Sequence, residues 1–410
     1  MSGHWVGTWA CSPQPAEPDD LPPGPFTREG LALADSTLRQ TVRTSIGGRR
    51  MRLRFSNAFG RTALPLTRVA LALPAGARAG ARAIRPSTSR PVTFHGRPSV
   101  VIPPGAQVVS DALDFEPGPR SVLTVTTYLA EGLARDSVTA HPGSRTTSHL
   151  LAGDHVQAGD LPGATPVEHW YLLSGVEVWA PPTAAAVAVV GDSLTDGRGS
   201  TTDMNDRWPD LLIDRLHAHP DMAGLAVLNQ GIGGNRVLAD GLGPGVSARL
   251  DRDVLAQSGV RWLIVFAGVN DIGTAAATEA AQREVAADLI AAYDQIVVRA
   301  QAGGLRVYGA TLTPFGGNMP YDDPGGRRES ARQAVNRWIR TSRRFDGVID
   351  FDRAVRDPAD PRRLLAAFDV GDHLHLGPAG YAALADAVPA DLFRHDRLAG
   401  TPQHAGIPGI

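Results

Sequence analysis

Ser193, Gly234, Asn270, Asp372 and His375 are residues whose types could do chemistry together. A serine hydroxyl is a poor nucleophile at neutral pH. It needs a base to take its proton, and the base needs a partner that holds it in place. His375 can be the base, and Asp372, three residues earlier, can fold back within one turn onto the second imidazole nitrogen. Attack on an acyl carbonyl also builds an oxyanion, which requires preplaced donors. The amide of Ser193, the amide of Gly234 and the side-chain amide of Asn270 can supply them. Each of these words alone is weak evidence: a Gly-Asp-Ser-Leu can be a capped turn, Gly234 a turn glycine, Asn270 a loop cap, and Asp-His-Leu-His a solvated surface. Their joint order is what points to acyl transfer.

For that chemistry the residues must arrive at one edge of one sheet. The run Ala184–Val190 is apolar and β-prone, and it delivers Ser193 to its carboxyl end, where open parallel sheets bind ligands. Further strands are expected at Leu225–Asn229, Arg261–Ala267, Leu305–Leu312 and Gly347–Phe351, with helices near 206–218, 245–257, 276–302, 327–343 and 378–394. Strands alternating with helices over short connections predict a doubly wound parallel sheet. Asn229 to Arg236 then follows the second strand, Gly268 to Asp271 the third, and Gly371 to His375 precedes the last helix. Asp192 and Asp196 are placed to brace the nucleophile turn, and His373 to line a cleft rim. Asp192, Asn235, Asn57 and His373 are the expected cleft residues. The longest irregular connection, Thr313 to Gly326, leaves the same sheet edge and is either a substrate-shaping loop or an ordinary surface loop.

Before Ala180-Pro181-Pro182 the grammar differs. Short β-prone runs with Gly and Pro between them, and no long amphipathic helix, predict a β-sandwich or jelly roll. Thr41–Ser45, Gly47-Gly48 and Met51–Phe55 read as a hairpin, with Met51, Leu53 and Phe55 buried and Arg52 and Arg54 wet. The Ala/Gly/Arg-rich stretch Ala75–Arg85 reads as an exposed loop. The expected organisation is a β-rich unit over 1–180, a catalytic unit over 183–397 and a loose tail over 398–410. Asn57, beside Phe55 and Phe59, is where the first unit is expected to touch the site.

Composition limits the partners. A formal net charge of −2 over 410 residues offers no basic field for nucleic acid. No apolar run approaches a membrane span, and the start lacks the basic and apolar regions of a leader, so a cytoplasmic protein is expected; a secreted one with its leader removed would look the same. The single cysteine, Cys11, reads as an inert small residue. Gly231 to Arg236 resembles a dinucleotide fingerprint, but its sixth position is Arg236. Asp372, His373 and His375 form no third cluster for a metal. Neither cofactor nor metal is expected, and the oligomeric state stays open.

Gly191-Asp192-Ser193-Leu194, Gly234, Asn270 and Asp372-His373-Leu374-His375 resemble the four blocks of the GDSL, or SGNH, hydrolase family, in the family's order. The resemblance covers about 183 to 395. It implies a flavodoxin-like α/β/α fold and serine-dependent ester hydrolysis. It also implies Ser193 as nucleophile, Ser193, Gly234 and Asn270 as the oxyanion hole, and Asp372 and His375 completing a catalytic triad. Thr8-Trp9-Ala10, Thr41 to Ser45 and Phe55 to Gly60 are similar to bacterial, actinobacterial-type, two-domain members. Family members often carry Pro-Asn after the histidine, where this chain has Leu376-Gly377. The expected activity is hydrolysis of short-chain, acetyl-type esters of a carbohydrate or small metabolite. A lipase acting on longer chains and an acyltransferase using the same acyl-enzyme are the alternatives.

Overall fold

The computed structural model describes residues 2–28 and 30–394, so the expected 398–410 tail lies outside the described residues. The chain before Pro181 forms two main antiparallel sheets. One runs His4–Ala10, Leu173–Ala180, Arg50–Ser56 and Gln107–Val109, with Leu113–Asp114 also on Arg50–Ser56. The other runs Thr165–Val167, Ser148–Ala152, Ser36–Arg43, Val122–Leu129, Arg68–Ala72 and Arg90–Val92. Val6, Met51, Leu53 and Val176 from the first share one core with Leu38, Val42, Leu123 and Val125 from the second.

Two local expectations need correcting. Ser36–Arg43 and Arg50–Ser56 are not a hairpin; they lie in different sheets. Gly47 and Gly48 are not left-handed turn residues but points of close approach: a Cβ would meet the Pro117 carbonyl oxygen at 2.3 Å and that of Trp179 at 2.8 Å respectively. They let the backbone cross from one sheet to the other. The Ala75–Arg85 stretch is also more than an exposed loop, because it covers the outer face of the six-stranded sheet. There the buried Arg39 donates to the Arg82 and Ala158 carbonyls, Gly80 N–H donates to Thr41 Oγ1, and Ile84 is buried. The alternation in Arg50–Ser56 holds, with Met51, Leu53 and Phe55 inside. Arg52 and Arg54 are only partly wet, since both pair with the buried carboxylate of Glu177.

After Pro182 the chain forms a five-stranded parallel sheet: β1 Ala185–Gly191, β2 Leu225–Gly231, β3 Val260–Phe266, β4 Arg306–Ala310 and β5 Gly347–Ile349, in the order β2-β1-β3-β4-β5. This is the flavodoxin-like order, with its switch point between β1 and β3. Helices Trp208–His217 and Pro378–Ala387 pack on one face through Trp208, Leu212, Leu216, Tyr381 and Leu384. Val246–Leu250, Glu279–Ala302 and Arg327–Thr341 cover the other, through Val246, Leu250, Leu289, Ile296 and Val335. Every residue of β1 is buried, as expected for a strand covered on both faces.

The two halves share a core. Ala184 and Ala186 with Ala226 and Leu228 of β2 belong to the same apolar cluster as the amino-terminal sheets. β2 is an edge strand, and the first half covers it: the Ser45 hydroxyl donates to Val227 O and accepts from Val227 N–H, both at 3.1 Å. An unpaired, apolar edge invites aggregation, and here the amino-terminal half occupies it. Pro181-Pro182 therefore marks a change of chain grammar rather than a gap between cores. Among the described residues no helix is long and apolar enough to cross a membrane.

Candidate active site

β1 ends at Gly191, level with Gly231 of β2 and Phe266 of β3. The three segments that carry Ser193, Gly234 and Asn270 therefore leave the sheet at the same height, around the switch point. Gly191 must be glycine, because a Cβ would come within 2.1 Å of Thr195 Oγ1. Asp192 caps the single helical turn Ser193–Asp196 by accepting from Leu194 N–H at 3.0 Å, and Gly197 closes it in the left-handed conformation.

Ser193 Oγ lies 2.8 Å from His375 Nε2. His375 Nδ1 lies 2.6 Å from Asp372 Oδ2, and the same carboxylate accepts from the backbone N–H groups of Leu374 and His375. An antiparallel bridge between Asp369 and Leu376 frames this turn. Leu376 is fully buried and Pro378 takes the first position of the last helix, which docks through Tyr381, whose hydroxyl donates to Arg198 O at 2.6 Å. Leu376-Gly377 thus seats the helix beside the Ser193 turn.

Burial pushes the His375 imidazole below its ordinary 6.5; its bonds to Asp372 oppose this, and the charges of Arg198 and Arg145 add to the lowering. Burial would raise Asp372, but hydrogen bonds from the His375 backbone and ring outweigh it and hold the carboxyl below its usual range. A neutral, oriented imidazole beside a serine hydroxyl can accept its proton.

The donors converge by connectivity. Gly234 is left-handed, with φ 68°, so a side chain there would be strained. Asn270 Nδ2 donates to Asn235 O at 2.8 Å, which ties the third block to the residue after Gly234. Only one of its two N–H groups is used there. The Ser193 and Gly234 backbone amides donate to no protein acceptor among the described residues. Three donors thus remain unengaged on segments that leave one sheet edge, two of them joined by the Asn270–Asn235 bond, and holding an oxyanion requires such donors.

The expected cleft residues separate. Asn57 is fully buried, its amide donating to the carbonyls of Thr62, Ile102 and Pro103; it braces a turn of the first half and is not brought to Ser193. Asn235 is also turned inward: its side chain donates to Pro244 O and accepts from Arg249, so only its backbone faces the site. Asp192 is buried, and burial raises its carboxyl to about 7, the cap bond opposing. His373 stays on the rim, exposed, with Nδ1 2.6 Å from Asp369 Oδ2. A cavity of about 1160 Å³ lined by Phe115, Trp179, Ala184 and Gly224 opens at the opposite, amino-terminal edge of the sheet and contains none of these groups.

Other supporting residues carried no local sequence signal. Tyr321, in the Thr313–Gly326 loop, donates from its hydroxyl to Asn270 Oδ1 at 2.7 Å, and Asn318 of the same loop donates to Asp372 O at 2.7 Å. One loop therefore touches both an oxyanion donor and the base turn; its unusual length was the only hint. Asp271 accepts from the N–H groups of Val237 and Leu238 and locks the Gly234 loop. Arg249 is completely buried and donates to Gly191 O, Gln230 O, Asn235 Oδ1, Asp253 and Ser12. From the first half, His141 Nε2 lies 2.9 Å from Asp196 Oδ1. Cys11 is buried, which raises its thiol well above the ordinary range and leaves it inert.

Residues 189–383 match the model of the GDSL-like Lipase/Acylhydrolase family. No curated protein sequence matches the chain. Among solved structures the chain is similar to an acetyl xylan esterase, AlAXEase, with 20% identity and TM-score 0.37 over 49% of this chain and 96% of that one. It is also similar to a catalytic mutant of an acetylxylan esterase from Geobacillus stearothermophilus, with 22% identity and TM-score 0.37 over 50% of this chain and 91% of that one. A GDSL-like lipase from Bacteroides thetaiotaomicron matches with 17% identity and TM-score 0.34 over 49% and 84%.

Proposed function

We propose that this chain, whose residues 189–383 match the GDSL-like lipase/acylhydrolase family, is a carboxylic ester hydrolase that works through an acyl-enzyme on Ser193 and takes short, acetyl-type esters of a carbohydrate or small metabolite. The observation that carries the mechanism is the continuous line from Ser193 Oγ through His375 to Asp372, with unengaged donors beside it. Ser193 Oγ attacks the acyl carbonyl while His375 Nε2 takes its proton. Asp372 holds the Nδ1–H and stabilises the imidazolium that forms. The oxyanion accepts from Ser193 N–H, Gly234 N–H and the free N–H of Asn270. His375 then returns the proton to the leaving alkoxide. Water, deprotonated by the same imidazole, attacks the acyl-enzyme, releases the acid and restores Ser193.

Support for a short acyl group comes from how the site is built. Each segment turns within a few residues of its strand end, and the base turn is open, Asp372 being 38% exposed. The test compares p-nitrophenyl acetate, butyrate and longer esters, then acetylated sugars, with the wild type and Ser193→Ala. Turnover falling steeply beyond butyrate supports the acetyl reading; equal or rising turnover on long chains replaces it with a lipase. Ester product formed on added alcohols in preference to free acid marks an acyltransferase. Equal release by Ser193→Ala overturns the assignment of the nucleophile.

A further inference from the structure

Arg39, Arg249 and Arg332 are completely buried, and every nitrogen of each guanidinium has an acceptor. Two arginines beside the Ser193 turn differ. Arg145 has a buried Nε with no acceptor, and its one ion contact among the described residues is a long one, Nη2 to Asp196 Oδ2 at 3.6 Å. Arg198 is exposed and has no side-chain partner among the described residues. Its backbone is fixed to the site, with N–H donating to Ser193 O at 2.9 Å and C=O accepting from Tyr381.

Arg145 comes from the other half of the chain and is held there at a conformational cost. The strand Thr139–His141 runs into Pro142-Gly143-Ser144-Arg145, and this segment presses on the nucleophile turn. His141 contacts Asp196, and a Cβ on Gly143 would lie 1.8 Å from Asp196 Oδ2. Arg145 is left-handed, with φ 51°. Its carbonyl accepts from Asp203 N–H at 3.0 Å, while Thr147 N–H and Oγ1 donate to the Asp203 carboxylate at 2.7 and 2.8 Å. A non-glycine residue held this way costs on the order of 1 kcal/mol, and such positions cluster at functional sites. Asp196 is shared with His141, so it does not neutralise Arg145 alone. Both arginine charges also reach His375 and lower it.

We propose that the amino-terminal half lends Arg145 to the catalytic cleft, where Arg145 and Arg198 together bind an anionic group, carboxylate or phosphate, on the alcohol part of the ester. Arg198, with its whole fork unengaged, and Arg145, with Nη1 unpaired among the described residues, suit such a group, because a guanidinium offers directed donors and a permanent charge. The proposal rests on the acyl-enzyme reading above and narrows its substrate: an acetyl ester of an acidic alcohol. The anionic alcohol departs with the proton from His375, and no step changes.

The test uses the full-length protein and three matched acetates: 4-acetoxybenzoate, 4-acetoxyphenyl phosphate and neutral 4-acetoxybenzamide. Each kcat/KM is normalised to the ester's alkaline hydrolysis rate. Wild type is expected to favour at least one anionic ester over the amide by about tenfold, equivalent to 1.4 kcal/mol. Arg145→Gln and Arg198→Gln should each bring that ratio most of the way to one, and Arg145→Lys should keep part of it. Added salt should shrink the ratio in wild type alone. Which anionic ester is favoured tells carboxylate from phosphate. Equal handling of charged and neutral esters by wild type overturns the proposal, as does a preference that persists in Arg145→Gln. Failure of the acyl-enzyme reading would look different: Ser193→Ala would retain turnover of all three. Thermal unfolding of each variant identifies any that fails to fold, and Arg145→Lys then carries the comparison.

Discussion

The two halves of this protein contribute to one site in opposite ways. In the carboxyl-terminal half, each candidate group lies in a short motif at the end of a strand or before the last helix, and the parallel sheet brings these ends to one edge. In the amino-terminal half, the contributing residues are single polar side chains without a motif. Ser12 reaches Asp253 across 241 positions and His141 reaches Asp196 across 55. A sheet edge concentrates chemistry by topology, whereas a partner domain contributes through contacts that only folding creates. Through Ser12 and His141 the first half accordingly braces the second, and only the proposed role of Arg145 would make it a direct participant.

That contrast can be broken or sharpened by experiment. The largest effect is expected within the motif-bearing half. Ser193→Ala should lower kcat on p-nitrophenyl acetate by roughly 10⁶-fold, with KM little changed; a loss below tenfold would mean the release does not pass through this serine. Next comes the oxyanion side. Asn270→Ala should cost roughly 10²–10³-fold in kcat, read in single-turnover acylation.

The brace is then tested from the other half. His141→Ala removes the closest partner of the buried Asp196 carboxylate and should destabilise the protein by about 1–3 kcal/mol, measured by denaturant unfolding. If stability is unchanged and only activity falls, His141 is a direct participant rather than a brace. Tyr321→Phe deletes one hydrogen bond to Asn270 and nothing else of the ring. The net value of such a bond, about 0.5–1.5 kcal/mol, predicts a roughly two- to tenfold fall in kcat at constant KM. A change in KM alone would make Tyr321 a substrate contact instead.

The smallest effect is on pH. His375 must be neutral to act as a base, and burial together with Arg198 and Arg145 lowers it below 6.5. The acidic limb of kcat/KM should therefore fall below pH 6.5, activity being lost only as pH drops through the lowered value. Replacing Arg145 or Arg198 by Gln removes a nearby positive charge, which makes protonation easier and moves the limb upward. A limb above 6.5 in wild type would show that the imidazole is not held in this environment.

Much of the carboxyl-terminal half was legible in the residues. The parallel β/α grammar placed all five strands and the main helices, because β1 is apolar throughout and each helix carries an apolar stripe against the sheet. Ser193, His375 and Asp372 could be linked in advance because one turn suffices to join the last two. Apart from Asn235, whose side chain turns inward rather than to the cleft, the misreadings came from the other half. Gly47-Gly48 resembles a hairpin turn, yet the glycines serve close packing where the chain changes sheets. Asn57 sits beside aromatics in a suggestive string, but its amide completes a local turn.

What the sequence by itself determined is the reacting set and the class of sheet that gathers it. Strand periodicity and the order of short motifs are local properties, and parallel topology converts them into a common edge. What only the tertiary structure decided is who stands around that set: Tyr321 behind Asn270, Arg249 beneath Gly191 and Asn235, and His141 and Arg145 against Asp196. These contacts join residues far apart in the chain, each of a type common on any surface. Their meaning arises from burial, which leaves a polar group only the partners that folding brings to it.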